Sequence, residues 1–382
     1  MWVATSFAVL DLRGWADNPS DAEIMLLPTH PAEPIGLAGP YADLWRRLVA
    51  GPVGDDGLSA EERDVVREYA DSGIASDDPT HPARVRHLDG PWLSSPFHEL
   101  LYGLIASVAR GNGIEIVFVK GPMLHRQGLR EREHSGDIDV WVDVAQMTRL
   151  ADLLEEWGWA RLPEHWEGSP LHHSITLTPG AWGCEIDLHR TMPGFAMPDD
   201  GSFARVIAHS ETAEFAAVGA RVPTAAAHAV IAALHLMRPQ QGRALSEGNM
   251  REAVQTLVAA GEDALAFSGE ARASASLESV LEEAFPTTAV RVDYLPPLNW
   301  RWRAEPNRLK RYVIMFRSAP IGAWPRMAYR SLWPDDLTAM RIDRYYGGTA
   351  RTPFQARMKR LKRGVLQQLR PQRSSTVPSA RP

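Results

Sequence analysis

The stretch Gly136-Asp137-Ile138-Asp139-Val140-Trp141-Val142 decides how the middle of the chain is read. Its acidic and apolar residues alternate as in a strand, so Asp137 and Asp139 share one face while Ile138, Val140 and Val142 point into a core. Residues two apart on a strand lie roughly 6–7 Å from one another. Their carboxylates can therefore converge on one divalent cation, or on a pair about 4 Å apart as in two-metal catalysis. Two like charges so close are costly without a neutralising cation, and a hard oxygen donor set favours Mg²⁺.

Downstream, Cys184-Glu185-Ile186-Asp187-Leu188-His189 repeats the alternation. On a neighbouring strand its polar face would set Asp187 beside the first two acids as a third carboxylate, with Glu185 as the alternative. Three acids on two strands suit phosphoryl or nucleotidyl transfer. Upstream, the apolar strand Ile114–Val119 ends in Lys120-Gly121-Pro122, just before a short helix Met123–Gln127. A glycine there lets backbone N–H groups approach a phosphate, and Lys120 supplies a point charge.

Taken together, Lys120-Gly121, Asp137-Ile138-Asp139 and Asp187-Leu188-His189 resemble the nucleotidyltransferase superfamily. They are most similar to its family of uncharacterised nucleotidyltransferases with a K-G, D-I-D and D-L-H pattern. The resemblance covers about residues 95–260. It implies a mixed α/β, palm-like core and Mg²⁺-dependent transfer of a nucleoside monophosphate from an NTP, ATP by preference. It also implies metal ligation and catalysis by Asp137, Asp139 and Asp187. Nucleotide binding is expected at Lys120, Gly121, Arg132, Gly136 and His189. The chain departs from the pattern at two points. Pro122 stands where the superfamily usually has a serine, and Glu133 stands at the family's arginine position, with Arg132 one residue earlier.

The rest of the 382 residues reads as an α+β protein with further modules. Residues 1–78 show short β-prone segments at Thr5–Leu12, Glu23–Leu27 and Pro34–Leu37, then a helix Tyr41–Ala50 and a capping box at Ser59–Glu62. This pattern, with Leu44-Trp45-Arg46-Arg47-Leu48, resembles winged-helix-like PqqD modules that bind leader peptides, so a peptide or small-molecule acceptor in a tailoring pathway is one expectation. A structural cap or a non-catalytic peptide scaffold is the alternative. Residues 79–94 read as a linker and 95–222 as the catalytic core. A helical region follows over 223–370, and 371–382 read as a disordered tail. His228 and His235 share one helix face and read as packing residues. Trp300, Trp302, Trp324 and Trp333 suit either base stacking or core.

Composition bounds the rest. One cysteine, Cys184, excludes an intramolecular disulfide framework and any multi-cysteine metal site. The start lacks a signal-peptide pattern and no apolar run approaches a membrane span, so a cytoplasmic location is expected. The net charge of −6 hides an asymmetry: residues 301–382 hold 19 basic and 4 acidic side chains, whereas the first 300 hold 22 and 43. A basic C-terminal region suits an anionic partner, and an RNA or tRNA acceptor is the alternative reading it carries.

Overall fold

The computed structural model describes residues 1–15, 18, 21–133, 136–162, 171–240, 245–345 and 347–369. His134 and the tail 371–382 lie outside them. The chain forms two compact units, Met1–Arg161 with His173–Arg311, and Leu162–His172 with Tyr312–Pro382.

The first unit opens with β1 (Val3–Ala4), β2 (Ala8–Asp11), β3 (Ile24–Leu27), β4 (Ile35–Leu37), α1 (Gly39–Ala50), α2 (Ala60–Asp71) and β5 (Ala75–Ser76). Strands β2, β3 and β4 form an antiparallel sheet, and β1 pairs with β5. The Ser59 capping box is formed in full, and Gly73 follows α2 at φ +70°. Trp45 is wholly buried and donates its indole N–H to the Ile74 carbonyl at 2.8 Å. These segments do not stand alone. Ala8, Leu10, Leu12, Met25 and Leu27 lie in the same apolar cluster as the central sheet.

That sheet follows α3 (Pro96–Gly111), whose N-terminus is capped by Ser95 accepting from the His98 N–H. Next come β6 (Ile116–Val119), α4 (Met123–Arg126), β7 (Asp137–Val142), α5 (Met147–Glu156), β8 (Ala160–Arg161), β9 (Ser174–Thr178) and β10 (Glu185–His189). The strand order is β6-β7-β10-β9-β8, a mixed sheet in which β7 and β10 run parallel and the other neighbours antiparallel. The parallel register sets Glu185 beside Asp137, Asp187 beside Asp139 and His189 beside Trp141. Ile138, Val140, Val142, Ile186 and Leu188 face α3, α5 and the N-terminal strands.

On the other face, Val117, Val119 and Trp141 pack against α6 (Asp199–Ala208) and the helices beyond it. Between α6 and those helices runs a hairpin of β11 (Ser210–Phe215) and β12 (Val218–Pro223). Then follow α7 (Ala225–Met237), α8 (Glu247–Ala260), α9 (Glu262–Glu270), α10 (Ser274–Ala284) and α11 (Leu298–Ala304). Both faces of the sheet are thus covered by apolar side chains, and polar residues at its strand ends are held by the fold rather than by solvent.

The hairpin turn Ala216-Ala217 sits at φ +49° and +60°, a left-handed geometry that usually calls for glycine or asparagine. It is held from outside. Glu99, 1% exposed, accepts from the Ala216 N–H at 3.2 Å and from the Trp92 and Leu93 N–H groups at 2.9 and 3.0 Å. Glu99→Gln would replace the oxygen facing Ala216 with an amide donor. The expected loss is about 1–3 kcal/mol, the price of one unmet buried N–H, read as a lower urea midpoint at unchanged m.

The second unit contains most of α12 (Arg308–Ser318), then α13 (Trp324–Leu332), α14 (Asp336–Tyr345) and α15 (Pro353–Leu369). Its small core includes Met315, Met327, Ala339 and Ala356. Asp343, 1% exposed, accepts from the Ala350 N–H at 2.8 Å and pairs with Arg363 at 3.2 Å. Arg357 pairs with Asp336 at 2.6 Å. Part of the region's positive charge is therefore matched internally. Among the described residues, no helix is long and apolar enough to cross a membrane.

Candidate active site

The site begins where β6 ends. Lys120 and Gly121 both adopt φ +61°, so the chain leaves the sheet through two consecutive left-handed residues. At Gly121 a side chain would also collide: a Cβ would lie 2.4 Å from the Tyr102 hydroxyl. Arg130 fastens the following loop. Its guanidinium donates to the Gly121 carbonyl at 2.8 Å and to the Arg132 carbonyl at 2.9 Å. A lysine could not make both bonds with the same planar geometry.

This turn brings the Lys120 ammonium to the carboxylates of the sheet. Lys120 Nζ lies 2.5 Å from Asp139 Oδ1, and His189 Nε2 lies 2.6 Å from the same oxygen. Asp139 is 4% exposed. Burial alone would raise its pKa, but the Lys120 charge and the His189 hydrogen bond override that and hold the carboxyl well below the usual range. On the adjacent strand, the Thr176 hydroxyl donates to Asp187 Oδ1 at 2.5 Å. One oxygen or nitrogen from each of Asp139, Asp187 and His189 falls within 4.8 Å of the others.

In front of Asp139 opens a cleft of about 280 Å³. Lys120, Gly121, Arg132, Gly136, Asp137 and Asp139 line it, so six of the eight expected site residues share one cavity. Asp187 and His189 do not reach its wall; they join through Asp139. Glu185 lies one step toward the strand start, in register with Asp137.

The motif reading missed part of this cleft. Arg130, and Glu252 and Thr256 from α8, line it together with apolar Leu124, Leu129, Ala232 and Leu236. No sequence signal set these apart from ordinary helix and loop residues. The two α7 histidines diverge. His235 opens onto the cleft, where the surrounding walls and then the nearby Lys120 charge depress its pKa, an effect moderated by solvent in the cleft.

His228 is fully buried and pairs through Nδ1 with Gln127 Oε1 at 2.6 Å. Burial drives its pKa down to about 3. An unfolded histidine titrates near 6.5, so below that pH the unfolded chain binds a proton that the fold refuses. Stability from this group is complete above about pH 6.5 and falls toward pH 3, by up to about 1.4 kcal/mol per pH unit. His228→Gln should therefore flatten stability against pH between 6 and 4 by nearly one proton, measured by urea unfolding. An unchanged slope would show that His228 does not carry this linkage.

Residues 100–248 match the sequence model of a family described as uncharacterised nucleotidyltransferases. This segment is similar to the nucleotidyltransferase superfamily. An antigenic nucleotidyltransferase-like protein from Paracoccidioides brasiliensis, solved by crystallography, is similar at 13% identity. The alignment covers 50% of this chain and 94% of that one, with a TM-score of 0.32. No curated protein matches the chain. The matched segment runs from within α3 to the start of α8, and the three motifs all fall on the cleft or directly behind it.

Proposed function

We propose that the nucleotidyltransferase segment moves a nucleoside monophosphate from an NTP, ATP by preference, to an acceptor group, releasing pyrophosphate. The observation that carries this reading is the cluster of Asp139, Asp187 and His189 behind a cleft walled by Lys120, Arg132 and Asp137. Two carboxylates and an imidazole within 4.8 Å are a donor set that fits a divalent cation. Asp139 and Asp187 would hold Mg²⁺, with Asp137 at the cleft side. When bound, the ion supplies charge stabilisation at the transferring phosphate and activation of the attacking oxygen.

The chain's own groups do the rest. Lys120 and Arg132 neutralise phosphate oxygens, and the backbone around Gly121 and Gly136 lets the triphosphate approach closely. The apolar side of the cleft, Leu124, Leu129 and Leu236, excludes water from the nucleotide. The acceptor oxygen forms its bond to the α-phosphorus as the α–β bridging bond breaks, and a cleft carboxylate takes the acceptor's proton. A peptide or small-molecule hydroxyl is the favoured acceptor class.

Thermal melting with MgATP tests the reading. Wild type should gain stability by mass action, about 2.7 kcal/mol at 100 times Kd. Asp137→Asn and Asp187→Asn should gain little. Equal shifts in wild type and both variants would remove these carboxylates from the site.

A further inference from the structure

Asp139 Oδ1 carries two partners, Lys120 Nζ at 2.5 Å and His189 Nε2 at 2.6 Å. A divalent cation held between Asp139 and Asp187 must meet that same carboxylate. An ammonium and a metal ion on one carboxylate oppose each other, since like charges so close in a buried setting repel strongly. Lys120 also pays for its position with backbone strain. It is a non-glycine residue at φ +61°, followed by a glycine at the same angle. Glycine would adopt that geometry more easily, so the fold retains a lysine where the backbone alone favours none.

We propose that Lys120 is an internal stand-in for the catalytic cation. It neutralises Asp139 in the empty enzyme, leaves when metal arrives, and passes its charge to the phosphates of the incoming nucleotide. The inference rests on the nucleotidyltransferase reading of the cleft and deepens it: metal and nucleotide uptake become coupled through one side chain. The geometry allows the exchange. Lys120 lines the cleft as well as touching Asp139, and its four-carbon stem is flexible. The coupling is reciprocal: whatever factor nucleotide adds to metal affinity, metal adds to nucleotide affinity.

The test uses the full chain and Mn²⁺ as a spectroscopic probe, titrated alone and with α,β-methylene ATP, which cannot transfer its nucleotidyl group. Free Mn²⁺ is read by electron paramagnetic resonance. Lys120→Met removes the stand-in, and Lys120→Gln removes its charge while keeping a hydrogen-bond donor. Both should bind Mn²⁺ alone more tightly than wild type, by about tenfold, within the usual range of allosteric coupling. The nucleotide should raise Mn²⁺ affinity strongly in wild type and far less in either variant. Unchanged or weaker Mn²⁺ binding in both variants would overturn the proposal while leaving the metal centre in place. No Mn²⁺ binding by wild type or either variant, with nucleotide or without, would overturn the nucleotidyltransferase reading itself, and this proposal with it.

Discussion

Asp139→Asn should abolish the proposed nucleotidyl transfer and also destabilise the metal-free protein, by about 3–5 kcal/mol, the cost typical of deleting one partner of a buried ion pair. Clustered carboxylates alone suggest the opposite sign, because neutralising one of several repelling acids relieves strain. The structure reverses that expectation. Asp139 does not face an unbalanced acidic cluster; it faces the Lys120 ammonium at 2.5 Å, with both side chains largely out of solvent. Removing the carboxylate charge strands the lysine. The double variant Asp139→Asn with Lys120→Met should recover much of the lost stability and none of the activity. Urea unfolding of wild type, both single variants and the double variant measures the coupling directly. Additive single effects would show that the pair does not interact in solution.

Deleting residues 1–87 should prevent the rest of the chain from folding. The N-terminal segment supplies Leu10, Leu12 and Leu27, all at most 2% exposed, to the cluster that also contains α3 and the central sheet. At about 1.5–3 kcal/mol per buried side chain, these and their neighbours approach the whole stability of an ordinary domain. Polar contacts add to the dependence. The Val9 N–H donates to the Ala216 carbonyl at 2.9 Å, and the Ser107 hydroxyl donates to the Phe7 carbonyl at 2.6 Å. Gly103 on α3 comes so close to Ala8 that a Cβ there would lie 2.7 Å from the alanine methyl. The shortened protein should aggregate or bind a hydrophobic dye without a cooperative melt. A monomeric, cooperatively melting product starting at Leu88 would instead make residues 1–87 a separable module, as the peptide-binding reading requires.

Much of this architecture was legible from local signals. The Ser59 box and the Ser95-Pro96 start are helix signatures that act within one turn, and both are formed. The limits of β7 match the stretch Asp137–Val142, where β-branched and aromatic residues follow the two acids. The hairpin of β11 and β12 left no such trace. Its turn is Ala216-Ala217, without glycine or asparagine, and it is held by Glu99 and Val9 from elements more than a hundred residues away in sequence.

The candidate site divides along the same line. Residue type and spacing alone determined that Asp137 and Asp139 share a face and that Lys120-Gly121 closes a strand, since both are short-range consequences of backbone geometry. Only the tertiary structure decided that β10 lies parallel beside β7 in the register that sets Asp187 against Asp139. It also decided that Lys120 and His189 meet on one oxygen of Asp139, and that α7 and α8 close the cleft with His235, Glu252 and Thr256. Register and helix packing arise from the summed burial of many apolar side chains across the sheet, and no single motif encodes that sum.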